Sequence, residues 1–293
     1  MATGKIIKAL SGFYYVLHEG IIYQCRGRGV FRKKKITPLV GDIVEFQAET
    51  LKEGYILSIE KRENELVRPP IANVDQALIV ASTVNPDFSP LLLDRFLVLV
   101  ESKRLEPVIV ISKMDQLDEE KLPSIMEYQR IYETIGYPVL LSSMEELEKL
   151  NKIEHQLANK TTVIAGQSGV GKSSLLNLLD PALDIETNEI SESLGRGKHT
   201  TRHVELYNIA GGLVADTPGF SSLDFGELEL EELSECFPEF VAVQDDCKFR
   251  GCLHVKEPKC AVKAGVENGS IAGHRYNHYL QFVEEIKNRK PRY

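Results

Sequence analysis

Residues 161–173 read Thr161-Thr162-Val163-Ile164-Ala165-Gly166-Gln167-Ser168-Gly169-Val170-Gly171-Lys172-Ser173. Five β-branched or small apolar residues come first, then GxxxxGKS, then the helical run Ser173–Leu179. Strand, glycine-rich loop and helix stand in the order that a phosphate-binding loop requires. The glycines allow consecutive backbone N–H groups to turn inward as an anion nest at a helix N-terminus. Lys172 suits the β- and γ-phosphates of a nucleotide, and the hydroxyl of Ser173 suits Mg²⁺. Gly166, Gln167, Ser168, Gly169, Val170, Gly171, Lys172, Ser173 and Ser174 are therefore the expected phosphate cradle.

Downstream, His203–Ile209 and Gly212–Ala215 meet at Gly211-Gly212 and read as a hairpin. Asp216-Thr217-Pro218-Gly219 follows it. Alone this is a turn sequence. Beside a phosphate loop, Asp216 is placed to hold Mg²⁺ through water, and Gly219 to offer its N–H to a γ-phosphate. Between helix and hairpin lies Gly195-Arg196-Gly197-Lys198-His199-Thr200-Thr201-Arg202, basic and rich in hydroxyls. A switch threonine there brings its hydroxyl to Mg²⁺ and its N–H to the γ-phosphate; spacing leaves both Thr200 and Thr201 open. The residue after DxxG is Phe220, which can neither donate nor accept a hydrogen bond. Orienting the attacking water then falls to another group, for which His199 is the candidate.

Upstream, the chain alternates strand and helix from residue 72. Ala77–Ala81, Pro107–Ile111 and Pro138–Leu141 are apolar runs, and Leu91–Lys103, Glu119–Ile135 and Met144–Asn159 have helical spacing. This rhythm specifies a parallel sheet covered by helices. Ser112-Lys113-Met114-Asp115 ends the second of these strands and has the form of a guanine-reading [NT]KxD turn. Its Asp115 carboxylate would accept from guanine N1–H and the exocyclic amino group, which adenine cannot match. Ser142-Ser143 ends the next strand and suits a loop offering a backbone N–H to guanine O6. Ligands of parallel sheets bind at such strand ends. Both base-reading segments precede the phosphate loop, whereas most GTPases have them after it.

The first segment is of another kind. Gly4–Ala9, Phe13–Leu17, Ile21–Cys25, Asp42–Gln47 and Gly54–Ile59 are short mixed strands separated by turns, as in a five-stranded OB-like barrel. Arg68-Pro69-Pro70 reads as a linker. Whole-chain charge is −8, with 35 basic and 43 acidic residues, which at first argues against a nucleic-acid partner. The regional balance reverses that. Residues 1–70 carry 12 basic and 8 acidic side chains, residues 71–228 carry 13 and 24, and residues 229–293 carry 10 and 11. Arg26, Arg28, Arg32, Lys33, Lys34 and Lys35 crowd one barrel loop, with Phe31 among them as a candidate stacking aromatic.

Composition at 43% hydrophobic and 27% charged residues excludes disorder and a membrane protein. No stretch is long and apolar enough to cross a bilayer, and the N-terminus carries no signal-peptide pattern. Five cysteines point to a reducing, cytoplasmic setting. Cys25 and Cys236 read as buried thiols. Cys247, Cys252, His254 and Cys260 supply the Cys₃His set of a closed tetrahedral zinc site, structural because it leaves no open position. His274 and His278, one turn apart on the helix Ile271–Lys287, suit either an RNA-facing or a packed helix.

An OB-like barrel, base-reading turns ahead of a phosphate loop, and a small Cys₃His segment together resemble the RsgA (YjeQ) family of circularly permuted ribosome-assembly GTPases over the whole chain. The resemblance implies a barrel at 1–70, a circularly permuted P-loop GTPase domain at 71–228 and a mostly helical zinc-binding domain at 229–293. It implies GTP hydrolysis to GDP and phosphate, an RNA-bound GTP state on the small ribosomal subunit and its rRNA, and release on hydrolysis. It favours Thr201 as the switch threonine, with Ser173, Thr201 and Asp216 around Mg²⁺. Lys172, Asp216 and Gly219 join His199 and Thr201 as expected catalytic groups. The chain is expected to act as a monomer without membrane contact. One departure stands out. The family usually has Asn where this chain has Ser112, so a buttressing side-chain amide is lost and guanine selectivity leans on Asp115.

Overall fold

The computed structural model describes residues 1–29, 31, 36–67, 69–143, 147–185, 204–215, 223–226 and 228–289. Its N-terminal strands β1 (Ala2–Leu10), β2 (Phe13–His18), β3 (Ile21–Gly27), β4 (Ile43–Thr50) and β5 (Glu53–Ile59) close into a barrel of order β1-β2-β3-β5-β4. β3 and β5 pair in parallel while the other neighbours are antiparallel. The five expected short strands are all present, and Ile6, Val16, Cys25, Val44, Phe46 and Ile56 are buried in the barrel core.

The expected linker is instead part of the fold. β6 (Glu65–Leu66) and β7 (Ile71–Ala72) pair across the Pro69-Pro70 turn. Ala72 N–H donates to Val40 O at 2.9 Å. The Arg62 guanidinium grips the fully buried Asp42 carboxylate with two bonds of 2.7 and 2.8 Å. The prolines lie at the turn, where they withhold no ladder hydrogen bond.

β8 (Gln76–Ser82), β9 (Glu106–Ser112), β10 (Val139–Leu141), β11 (Thr161–Ala165), β12 (Leu206–Ile209) and β13 (Gly212–Ala215) form a sheet of order β10-β9-β8-β11-β13-β12. β9/β10 and β11/β13 are parallel, and β12 returns antiparallel on β13 through the expected hairpin. β8, β9 and β11 are buried along nearly their whole length, which is why they read as continuous apolar runs rather than alternations. Between them run α1 (Pro90–Glu101), α2 (Leu122–Ile135), α3 (Leu147–Leu157) and α4 (Lys172–Leu179). Ser89 caps α1, its hydroxyl accepting from Leu92 N–H, with Pro90 in the first turn. After the sheet come α5 (Leu230–Leu233), α6 (Pro238–Val241), α7 (Ala261–Glu267) and α8 (Gly273–Lys287).

The chain resolves into two compact units, Met1–Leu78 with Met144–Ser221, and Ile79–Ser143 with Ser222–Tyr293. The first holds the barrel and the phosphate-loop strand. Lys5 Nζ donates to Thr161 Oγ1 at 2.7 Å, Asp75 accepts from Thr161 N–H at 2.6 Å, and Lys8 pairs with Glu205 at 2.7 Å. The second unit holds β9 and β10, and α1 shares with the C-terminal helices one core that runs from Val98 through Phe225, Phe237 and Phe240 to Tyr279 and Phe282 of α8.

Candidate nucleotide site and metal cluster

In the first unit, β11 runs straight into the glycine loop. Gly166, Gly169 and Gly171 have φ of 138°, 81° and 95°, conformations that side-chain-bearing residues rarely adopt. Val170 is buried and pins the loop, while Gln167, Ser168 and Gly169 are exposed. Lys172 opens α4, and its ammonium donates to Gly166 O at 2.9 Å and Gln167 O at 2.7 Å. The lysine thus folds over the mouth of its own nest, where a phosphate oxygen would compete for the same protons. Ser173 and Ser174 follow in the first turn of the helix, both half-buried.

In the second unit, the turn at Ser112–Asp115, expected to read guanine, is built by backbone bonds. Ser112 closes β9, Lys113 sits in the left-handed region at φ 59°, and Met114–Gln116 form one 3₁₀ turn that presents Asp115 on the surface. Met114 N–H donates to Ser142 O at 3.2 Å and Ser142 N–H to Ile111 O at 2.8 Å, so the Ser142-Ser143 segment packs beside the turn, buried. Sequence reading missed a support. Thr83, at the end of β8, donates its hydroxyl to Lys113 O at 2.8 Å and Ser112 O at 3.3 Å. The Lys113 ammonium donates to Val84 O at 3.2 Å and also to Asn85 O. The only available signal was Thr83's place at a strand end. Ser112 Oγ donates to Ala81 O at 3.4 Å, so the hydroxyl is directed at the neighbouring strand.

His199, Thr200, Thr201, Asp216, Gly219 and Phe220 lie outside the described residues, as do Arg32–Lys35. Phe31 is 7% exposed and is therefore a packing residue, unable to stack on a base. The exposed barrel aromatic is Tyr55, at 53%.

Cys247, Cys252, His254 and Cys260 bring their donor atoms within 4.8 Å of one another. A tetrahedral Zn²⁺ with bonds of about 2.3 Å to sulfur and about 2.0 Å to nitrogen has edges of about 3.8 Å between sulfurs and about 3.6 Å from sulfur to nitrogen. Cys247 Sγ lies 4.0 Å from Cys260 Sγ, and His254 Nδ1 lies 3.7 and 3.3 Å from those sulfurs. The donor set fits such an ion and could hold it. Burial pushes the Cys252 thiol up to about 12, so metal binding must displace protons. The surrounding loop is prepared in advance. Glu257 accepts from the N–H groups of Leu253, Val255 and Lys256, and Tyr276 and Tyr279 of α8 donate to His254 O and Leu253 O at 2.8 and 2.6 Å. Cys25 and Cys236 are buried with thiols raised to about 11 and about 12 by that burial, inert as expected.

The two histidines of α8 settle on the packed alternative. His278 Nδ1 lies 2.5 Å from Asp94 Oδ2, and the His274 ring meets Tyr128 edge-on at 5.4 Å. Asp94 also accepts from Tyr132 OH and Arg275 Nη1, both at 2.7 Å, and Arg275 makes a bidentate pair with Glu239. Asp94 and Arg275 are fully buried. Burial would raise the Asp94 carboxyl, but Arg275, His278 and Tyr132 outweigh it and hold the group below its ordinary range.

A glycine nest on a strand–helix turn and a KxD turn at the end of an earlier strand define a P-loop GTPase whose chain order has been circularly permuted. The chain belongs to the RsgA GTPase family, whose description matches residues 59–226, with the RsgA N-terminal domain matching residues 3–56. It is 63% identical over its full length to small ribosomal subunit biogenesis GTPase RsgA 2 of Oceanobacillus iheyensis, covering 100% of both chains. The RsgA of Geobacillus kaustophilus is likewise 63% identical over 100% of both chains. The crystal structure of YloQ, a circularly permuted GTPase, superposes with a TM-score of 0.88 at 55% identity, covering 100% of this chain and 97% of that one. YjeQ from Thermotoga maritima gives 0.87 at 37% identity, covering 99% of both. The chain is a GTPase of this family.

Proposed function

We propose that this GTPase acts late in maturation of the small ribosomal subunit, holding rRNA in its GTP form and leaving on hydrolysis. The observation that carries the reading is the formed glycine nest with Lys172 poised over it. Full-length relatives bearing the name of a small ribosomal subunit biogenesis GTPase supply the biological setting.

In this reading 1–70 is the RNA-binding barrel, 71–228 the GTPase domain and 229–293 the metal-bearing domain. The nest N–H groups of Gly166–Ser174 hold the phosphates, and Lys172 moves from the loop carbonyls to the β- and γ-oxygens. Asp115, Lys113 and the Ser142-Ser143 backbone read guanine, with Ser112 and Met114 shaping the turn. Thr201 and Gly219 contact the γ-phosphate, and His199 orients the attacking water in place of the glutamine that Phe220 replaces. Ser173, Asp216 and Thr201 would hold Mg²⁺, which when bound neutralises charge on the phosphate oxygens. Zn²⁺ at Cys247, Cys252, His254 and Cys260 is structural, one per chain.

The barrel supports an RNA role. Phe13 pairs with Arg26 and Arg26 with Tyr55 in the strand register, and the Arg26 guanidinium lies 4.8 Å from the Phe13 ring centre. An aromatic–guanidinium–aromatic row beside the exposed Arg28 offers stacking and charge together. The protein works as a cytoplasmic monomer, and among the described residues no helix is long and apolar enough to cross a membrane.

The test is turnover of GTP and of ATP by the full chain with and without purified small subunits. Stimulation confined to GTP is the expected result. An ATP preference unaffected by Asp115→Ala would identify a P-loop ATPase with an incidental KxD, and undetectable GTP turnover even with subunits a scaffold that merely binds nucleotide.

A further inference from the structure

We propose that Arg95 and Arg289 are positioning residues for GTP hydrolysis, clamping the backbone that leaves the γ-phosphate loop onto helices α1 and α8. The proposal rests on the reading of Asp216-Thr217-Pro218-Gly219 as that loop. Downstream of it the chain passes through Leu223–Leu228, and two arginines from distant parts of the sequence converge there.

Arg95, on α1, donates from Nη1 to Leu223 O at 2.9 Å and holds both Glu285 oxygens at 2.8 and 2.5 Å. Its guanidinium also lies over Phe225 and Phe282, 4.7 and 5.0 Å from their ring centres. Phe225 is 3% exposed and meets Phe282 edge-on at 5.0 Å. Arg289, just past α8, donates from a single Nη1 to three carbonyls, those of Phe225, Gly226 and Leu228, at 3.0, 3.1 and 3.1 Å. Its other terminal nitrogen reaches Glu229 at 3.2 Å.

These contacts hold main chain. Four carbonyls are fixed by two planar cations whose own orientations are set by stacking and by carboxylates, geometry that a lysine cannot reproduce. An ordinary surface turn needs no such restraint. A loop that must bring Gly219 N–H to a γ-phosphate does, because only a segment anchored at its far end converts phosphate contact into a defined displacement. Leu223 lies four residues beyond Gly219, so at most about 14 Å of extended chain separates clamp from phosphate contact. The same anchor passes through Glu285 and Arg289 into α8, the helix whose Tyr276 and Tyr279 grip the metal loop.

The experiment is single-turnover GTP hydrolysis by the full zinc-loaded chain carrying Arg95→Ala, Arg289→Ala, Arg289→Lys or Glu285→Gln. Zinc content, thermal midpoint and GDP affinity are measured on each variant. We expect Arg289→Ala and Arg95→Ala to lower the hydrolysis rate about fivefold to tenfold, with GDP affinity and zinc content within about twofold of the parent. Arg289→Lys should recover little, and Glu285→Gln, which keeps a hydrogen bond to Arg95, should lose about twofold. Amide exchange of 223–228 should differ between GTP-analogue and GDP states in the parent and not in Arg289→Ala. Unchanged hydrolysis, or a rate lost in step with GDP affinity and midpoint, overturns the proposal. Gly219→Ala run in parallel separates the two levels. If it leaves turnover intact, the loop reading falls and the clamp with it; if it abolishes turnover while Arg289→Ala does not, the clamp alone falls.

Discussion

Removing Asp94 should cost the second unit about 3–5 kcal/mol, the loss expected when one partner of a buried pair is deleted. The figure follows from what the carboxylate holds. Asp94 and Arg275 have no exposed side-chain surface, and Asp94 receives Arg275, Tyr132 and His278. Asp94→Ala leaves two buried donors, Arg275 and Tyr132, without their acceptor, each costing about 1–3 kcal/mol, and frees the partly exposed His278, while Glu239 still neutralises Arg275 and limits the damage. A double-mutant cycle isolates the pair. Once Asp94 is alanine, Arg275→Ala should cost at least about 2 kcal/mol less than in the intact protein. The partly exposed pair Lys8–Glu205 provides the contrast and should couple by less than about 1 kcal/mol. The chain contains no tryptophan, so urea unfolding is best followed by far-ultraviolet circular dichroism and tyrosine fluorescence, with zinc retained. Because the folded carboxyl titrates below its ordinary range, its contribution is complete above about pH 4, the unfolded value, and fades as pH falls through the folded one. The Asp94→Ala penalty should therefore shrink in acid. Additive single costs, within about 0.5 kcal/mol, would refute the reasoning.

Four further outcomes are expected. Asp115→Asn should weaken GTP binding by about a hundredfold or more, since two charge-assisted hydrogen bonds of about 1.5–3 kcal/mol each are lost; competition with xanthosine triphosphate, whose O2 accepts from the new amide, should improve. Cys260→Ser should cut zinc retention in a chelator competition and loosen α7 and α8 to amide exchange, because metal-binding energy is folding energy at such a site. Tyr55→Ala combined with Arg26→Ala should weaken binding of single-stranded RNA by about 1–3 kcal/mol without changing GTP affinity, as read by fluorescence anisotropy. His199→Ala should lower subunit-stimulated GTP turnover while nucleotide affinity stays nearly unchanged; an equal loss of affinity, or no loss of rate, would discard the assignment.

Sequence made legible whatever rests on local period or local chemistry. β11 coincides with the strand expected at Thr161–Ala165 and β13 with the hairpin strand expected at Gly212–Ala215, and β11, buried along its length, announces itself as an apolar run. The nest glycines and the Cys₃His spacing are likewise local demands. Long-range partnership was not legible. Phe31 reads like a stacking aromatic in a basic loop and is buried; the spacing of His278 left an RNA-facing and a packed helix open, and it faces an aspartate 184 residues away. Arg68-Pro69-Pro70 has linker composition, yet β6 and β7 pair around it because Arg62 and Asp42 lock the approach. No periodicity encodes that Arg95 meets Leu223 across 128 residues.

Circular permutation gives these long-range contacts a common logic. In the first unit the barrel strand β1 reaches Glu205 through Lys8, and Glu205 directly precedes β12, where the chain returns from the 195–202 segment. In the second unit Arg95 and Arg289 hold Leu223–Leu228, where the chain returns from 216–219. On the proposed reading, the first restraint holds the chain that follows 195–202 and the second holds the chain that follows 216–219. The two restraints differ in strength: a partly exposed ion pair at Lys8–Glu205, and four carbonyl bonds with aromatic stacking at Arg95 and Arg289. Lys8→Ala should therefore alter RNA-coupled turnover weakly, and Arg289→Ala should alter turnover with or without RNA. If Lys8→Ala proved the more damaging of the two in the absence of RNA, the arginine clamp would not be the stronger restraint.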